Sequence, residues 1–290
     1  MHTLGWIGLG HMGAPMATNL RAAEHRVNVY NRSADKTAPL VQIGAVAMAS
    51  PKAVAEASDI IFTMLTNAEA VQAVLSGEDG ILAGITPGKI VVDMSTVSPE
   101  DSKSFAKQVE AKGGTFLDAP VSGSVGAAKA KQLVILAGGT ESTLDTCRPY
   151  LADIGKDAIH FGENGAGSAA KLSINLLLGV MGQGFAEAIL FAEKLGLDKE
   201  TLLHTFSQSA FNNPFFQMKK EMFLTETFPS AFMTALMSKD LGLIKGEVNR
   251  MKGVFPLAVA ADATYRSAKE NGKGAMDMAA IYLELKEQNR

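Results

Sequence analysis

The stretch from Gly165 to Leu195 constrains this chain more than any other. It is apolar on nearly every face and too long for a strand, which predicts one buried helix. At about 1.5 Å rise per residue that helix runs roughly 40 Å or more, long enough to serve two domains. Lys171 and Asn175 stand four residues apart and share a face, with Gly179 and Gly182 continuing the stripe, so a cleft is expected beside them. Two readings of the pair are open. Lys171 can snorkel to solvent, with Asn175 an ordinary core amide. Alternatively Lys171 is buried at a cost of several kcal/mol unless a ligand matches its charge or its pKa falls, and a lowered pKa makes a proton donor near neutrality.

At the other end, Leu4 to Ile7 reads as a strand, followed at once by Gly8-Leu9-Gly10-His11-Met12-Gly13 and an amphipathic helix to about Ala23 with Pro15 in its first turn. In that setting G-x-G-x-x-G points to a dinucleotide. The first Gly permits the tight turn, the second lets a pyrophosphate approach the backbone, and the third lets helix pack on strand. The competing reading is a structural Gly-rich turn. Arg26 to Tyr30 is the second strand; at its end, where NAD enzymes usually carry an acid, stand Asn31, Arg32 and Ser33, with Lys36 close behind. A guanidinium there pairs with a 2′-phosphate, which favours NADP, unless Arg32 is simply solvated.

The 290 residues suggest two domains. Strands are predicted near Ala45 to Ala47 and at Asp59 to Leu65, Lys89 to Asp93, Thr115 to Asp118, Leu133 to Gly138 and Ala158 to Phe161. Helices are predicted from Pro51, from Ala68, over Pro99 to Lys112 and over Glu141 to Ala152. That alternation means an α/β, Rossmann-type, doubly wound parallel sheet. Ligands bind beyond the carboxyl ends of such strands, so Met64, Leu65 and Thr66, and Met94, Ser95 and Thr96, should line the cofactor cleft. The segment Pro120 to Ser124 reads as a loop, and Gly162 to Gly167 as a hinge. Beyond Leu195 only helical patterns follow, at Lys199 to Ser209, Phe216 to Leu224, Met237 to Arg250, Pro256 to Lys269 and Asp277 to Glu287. The expected division is a nucleotide-binding domain over 1–163 and an all-α domain over 164–290, joined by the long helix.

The chain is 47% hydrophobic and 20% charged, with a net charge of −3, so nothing points to nucleic acid, a membrane surface or disorder. Its one cysteine, Cys147, permits no internal disulfide and reads as inert. No apolar stretch is read as reaching the roughly 18 residues of a membrane span, and no signal peptide is evident, so a cytoplasmic protein is expected. No metal site is expected. The long helix suggests packed subunits, a homodimer or homotetramer.

Four segments together resemble the β-hydroxyacid dehydrogenases: Gly8 to Gly13, Asp118-Ala119-Pro120-Val121-Ser122-Gly123-Ser124, Gly167-x-x-x-Lys171-x-x-x-Asn175, and Lys239-Asp240-Leu241. Asn31-Arg32, Asn213-Pro214-Phe215-Phe216 and Phe228-Pro229-x-x-Phe232 are most similar to the NADPH-linked glyoxylate/succinic semialdehyde reductases. The resemblance implies that Lys171 is the general acid, that Asn175 orients the substrate, and that Ser122, Gly123 and Ser124 hold its carboxylate. It further implies that Thr96 touches cofactor or substrate, that Lys239 and Asp240 approach the nicotinamide, and that Phe232 walls the pocket. Met233-Thr234-Ala235-Leu236 replaces the usual Pro-Leu-Lys-His, and Lys129 and Lys131 occupy a segment that is commonly acidic; both changes bear on the substrate more than on the reaction. Two alternatives remain: an NAD-linked dehydrogenase of the 3-hydroxyisobutyrate type, and a module that binds NADP without chemistry. Imine reductases usually replace the lysine, and phosphogluconate dehydrogenases carry His where Ile174 stands.

Overall fold

The structure, a computed structural model, describes residues 2–290, which fall into two compact units meeting between Lys171 and Leu172. The first unit runs β1 (Leu4–Ile7), α1 (Gly13–Ala22), β2 (Val27–Tyr30), a 3-10 turn into α2 (Ala38–Gln42), β3 (Val46–Ala47), α3 (Pro51–Glu56), β4 (Ile60–Thr63), α4 (Ala68–Leu75) and α5 (Ile81–Gly84). It continues with β5 (Ile90–Asp93), α6 (Pro99–Glu110), β6 (Thr115–Asp118), β7 (Val121–Ser122), α7 (Val125–Lys129), β8 (Leu133–Gly138), α8 (Glu141–Leu151) and β9 (Gly155–Gly162).

Strand composition explains the layering. Leu4 and Trp6 of β1, Ile60 and Phe62 of β4, and Ile90 and Val92 of β5 join the core on one face of the sheet. Their strand neighbours Ile7, Ile61 and Val91 join the core on the other. Alternate side chains of a strand point to opposite faces, so apolar runs without alternation require helices on both sides. Helix starts are set by side-chain caps: Ser50, Asn67, Ser98 and Thr140 each accept the amide three residues on.

The sheet order is β3-β2-β1-β4-β5-β6-β8-β7, with β9 on β8. From β3 to β6 every pairing is parallel, as the alternation predicts. Beyond β6 it is mixed: β8 runs antiparallel to β6 and β7 but parallel to β9. The expected loop Pro120 to Ser124 therefore contains a two-residue strand, too short to show as a period, and the chain reverses through α7.

The helix α9 (Ala166–Lys194) is continuous over 29 residues. By length and composition it does reach what a membrane span needs, which corrects the expectation drawn from the sequence. By contacts, its first turns group with the first unit, up to Lys171. The second unit contains the rest of α9 with α10 (Lys199–Ser207), α11 (Pro214–Thr225), α12 (Thr234–Arg250), α13 (Pro256–Ala268) and α14 (Ile281–Gln288) around one apolar core. The opening expected beside Gly179 and Gly182 is filled. A Cβ on Gly179 would meet Leu241 and Met237 at 3.2 Å, and one on Gly182 would meet the Tyr265 hydroxyl at 2.5 Å. These glycines let α12 and α13 approach the helix closely.

Candidate active site

The Gly8 to Gly13 turn has the geometry its sequence predicts. Gly8 has φ +102° and a Cβ there would lie 2.3 Å from the Met64 carbonyl oxygen. A Cβ on Gly13 would lie 2.0 Å from the Gly8 carbonyl oxygen, which also accepts from Trp6 Nε1 at 2.9 Å. Around Gly10, by contrast, nothing stands within 4 Å of a Cβ position. Two glycines are thus fixed by packing and the third by an open approach to the backbone, where a nucleotide's pyrophosphate fits. Leu9 is buried, while His11 is exposed and Met12 half-buried on the same turn.

Asn31 is tied into this loop: its Oδ1 accepts from Leu9 N at 2.9 Å and its Nδ2 donates to the Ser33 carbonyl oxygen at 2.9 Å. Arg32 is exposed and makes no hydrogen bond or ion pair with a described residue.

Ile7, Thr63, Asp93 and Asp118 stand in register at the carboxyl ends of four adjacent parallel strands. Asp93, on which the sequence gave no functional hint, organises the loops beyond them. Its Oδ1 accepts from Thr63 Oγ1 at 2.7 Å and Ser95 Oγ at 2.6 Å, and Ser95 Oγ accepts from Leu65 N at 2.9 Å. The segments carrying Met64, Leu65 and Thr96 are knitted together by that carboxylate. Burial pushes the Asp93 carboxyl above its ordinary pKa, against hydrogen bonds from Ser95 and Thr63 that favour the charge.

The segment after β6 places Ser122 on β7, paired with Val134, and Ser124 as the N-cap of α7. Gly123 between them has φ +139°, and a Cβ there would meet Leu133 Cδ2 at 2.7 Å. Ser122 and Ser124 are half-buried and Gly123 is exposed, so hydroxyls and backbone can face a ligand. Lys171 is half-buried.

In the second unit, Asn175 is fully buried and donates from Nδ2 to Asp240 Oδ2 at 2.6 Å, while Lys239 Nζ lies 2.9 Å from Asp240 Oδ1. Asn175 and Asp240, 65 apart in sequence, form one group with Lys239. Phe232 is half-buried; its backbone N donates to Asp277 Oδ2 at 3.1 Å, which fixes its loop to a buried pair with Lys219. Cys147 is buried and its thiol is pushed up to about 12 by desolvation, so it is not a nucleophile at neutral pH.

Residues 3–162 match the family described as the NAD binding domain of 6-phosphogluconate dehydrogenase, and residues 165–285 that described as the NAD-binding domain of NADP-dependent 3-hydroxyisobutyrate dehydrogenase. The chain belongs to the β-hydroxyacid dehydrogenase family. Among its relatives, glyoxylate/succinic semialdehyde reductase 2 of Arabidopsis thaliana is 38% identical over 98% of this chain and 79% of that one. The 3-hydroxyisobutyrate dehydrogenase of Pseudomonas aeruginosa is 36% identical over 90% of each. The solved structure of Mycobacterium tuberculosis 3-hydroxyisobutyrate dehydrogenase with L-serine superposes with a TM-score of 0.90 at 33% identity, covering 99% of both chains. As a β-hydroxyacid dehydrogenase the chain is an NAD(P)-dependent oxidoreductase, and the reading as a non-catalytic nucleotide module falls.

Proposed function

We propose that the enzyme reduces a small carboxylate-bearing aldehyde or keto acid, of the glyoxylate or succinic semialdehyde type, with NADPH. The observation that carries the cofactor choice is the Asn31-Arg32 pair: a neutral amide anchored on Leu9 N beside an exposed guanidinium with no partner among the described residues. A 2′-phosphate meets no carboxylate there and finds a bidentate donor. Gly8, Gly10, Gly13, Leu65 and Thr96 hold the rest of the nucleotide. A bound nicotinamide supplies the hydride. Lys171 donates the proton to the carbonyl oxygen and recovers it in the reverse direction. Ser122 to Ser124 hold the carboxylate through hydroxyls and backbone amides. Asn175 orients the substrate beside Lys171, with Lys239 and Asp240 toward the nicotinamide and Phe232 as a pocket wall.

A panel of short aldehydes and hydroxy acids, assayed with both cofactors in both redox states, tests this reading. Equal kcat/KM for butanal and succinic semialdehyde would remove the anion site. Oxidation of 3-hydroxyisobutyrate with NAD outrunning every reduction would put the dehydrogenase reading first, which the Pseudomonas aeruginosa relative favours. We also propose that copies associate through apolar side chains left exposed on the helical unit, Leu177 and Phe191 on α9 and Leu257 and Val259 on α13. Light scattering behind size exclusion reads the order of the oligomer, and a monomer at micromolar concentration refutes it.

A further inference from the structure

Asp118 ends β6 and is 1% exposed. From it the chain runs through Pro120 straight into Ser122, Gly123 and Ser124. Its carboxylate reaches the start of α9 instead. Oδ1 accepts from Gly165 N at 2.8 Å, Oδ2 accepts from Ser168 N at 2.9 Å, and Asn164 Nδ2 stands 3.5 Å from Oδ1. All three partners are N–H donors, the set that matches an ionised carboxylate.

The surroundings of this carboxylate are closely packed. A Cβ on Gly138 would lie 2.7 Å from Asp118 Oδ2 and 2.7 Å from Gly167 N, and one on Gly167 would lie 2.2 Å from the Leu136 carbonyl oxygen. Helix start, β6 end and β8 are therefore in direct backbone contact. Ser168 precedes Lys171 by three residues, about one helical turn. A helix is stiff over one turn, so the amide that Asp118 holds also sets where the Lys171 backbone stands.

We propose that Asp118 is a positioning residue that sets the separation between the substrate's carboxylate site and the proton donor: its backbone leads into the Ser122 to Ser124 loop while its carboxylate fixes the turn carrying Lys171. The inference rests on the roles given above to Lys171 and to that loop. A hook that served folding alone would change stability; a positioning residue must change turnover, and do so through Lys171.

The test uses full-length wild type, Asp118→Asn, Lys171→Ala and the double variant, with the best substrate of the panel. It reads kcat, its pH profile and cofactor Kd. Asp118→Asn keeps the shape but turns one acceptor of an N–H into a donor. Its kcat is expected to fall about 10- to 100-fold, since roughly 1 Å of misplacement costs up to about 10²-fold. The alkaline limb of kcat should move to lower pH, because a negative charge that favours the protonated amine is gone. Cofactor Kd should stay within about twofold, and in the Lys171→Ala background the substitution should add nothing, as expected of residues acting as one unit. An equal loss in both backgrounds, or an unmoved limb, overturns the positioning role while leaving Lys171 in place. Near-normal turnover of Lys171→Ala overturns the catalytic reading and the positioning role with it. Should Asp118→Asn fail to fold, Asn164→Ala trims one donor from the same carboxylate and keeps its charge. A kcat loss of about 2- to 5-fold, absent in the Lys171→Ala background, then supports the role, and a loss present in both refutes it.

Discussion

Asn175 gives its amide hydrogen to Asp240 across 2.6 Å, and both side chains are buried. Asp240 in turn faces Lys239 at 2.9 Å, so one carboxylate holds both a neutral and a charged donor. The Asn175 Oδ1 is buried without a hydrogen-bond partner among the described residues. A hydrogen bond to a charged group is worth about 1.5 to 3 kcal/mol. A cycle of Asn175→Ala, Asp240→Ala and the double variant, followed by urea unfolding, should give a coupling energy of at least about 1 kcal/mol. Additive losses would show that the two side chains do not depend on each other.

The glycines of the nucleotide turn separate by experiment. Gly13→Ala drives a methyl to 2.0 Å from the Gly8 carbonyl oxygen, so the apo protein itself should be destabilised. Gly10→Ala meets nothing within 4 Å and should leave the apo melting temperature within a degree or so, while cofactor affinity falls by about 10-fold or more as the methyl occupies the pyrophosphate's approach. Fluorescence titration and thermal unfolding of both variants check this. Equal cofactor affinity for Gly10→Ala and wild type would mean that the turn is only structural.

Asp93 predicts a pH dependence with a definite sign. Burial is the largest influence and raises its folded pKa above the unfolded value, with Asp118 adding a smaller repulsion. The folded state then holds the proton more tightly, so stability falls as pH rises from about 3.9 through the folded pKa. Asp93→Asn copies the neutral acid, and its oxygen still accepts from Thr63 and Ser95. Relative to wild type its melting temperature should gain as pH rises from 4 and then level off. A difference that is constant over pH 4 to 9 would show that Asp93 pays no burial penalty in the fold.

Much of the architecture was legible because it rests on local pattern. Strands such as Ile60–Thr63 show as apolar runs, and the long helix shows as an apolar segment with Lys171 and Asn175 on one face. Strand direction is not in such a pattern, so the antiparallel β8 and the two-residue β7 did not show. Periodicity also gives a face but not a depth, which is why Lys171 proved half-buried while Asn175 is fully buried. The carboxylates of Asp93 and Asp118 read as ordinary strand ends because, Ser95 apart, their partners lie far along the chain: Thr63 is 30 residues from Asp93, and Gly165 and Ser168 are 47 and 50 from Asp118. Gly179 and Gly182 suggested a cleft for the opposite reason, since a missing side chain looks the same in sequence whether a ligand or another helix fills the space.

Cofactor choice is where the physical argument is independent of the substrate. Asn31 presents no charge against a 2′-phosphate, and its amide is already engaged with Leu9 N and the Ser33 carbonyl oxygen, so it holds the loop while Arg32 stays open to solvent. A charged, hydrogen-bonded pair of about 1.5 to 3 kcal/mol corresponds to about 10- to 150-fold in kcat/KM in favour of NADPH. Arg32→Ala alone should remove most of that factor. Asn31→Asp can keep the bond from Leu9 N through a carboxylate oxygen while setting a negative charge beside the phosphate, and the double variant should therefore favour NADH, since specificity depends on the repulsive element as well as the attractive one. Initial rates with each cofactor at one fixed salt concentration measure it, and screening of the exposed guanidinium means that the factor should shrink as salt is raised. A wild type that turns over equally with both cofactors would place Arg32 in solvent even with nucleotide bound, and the NAD-linked dehydrogenase would then be the better account.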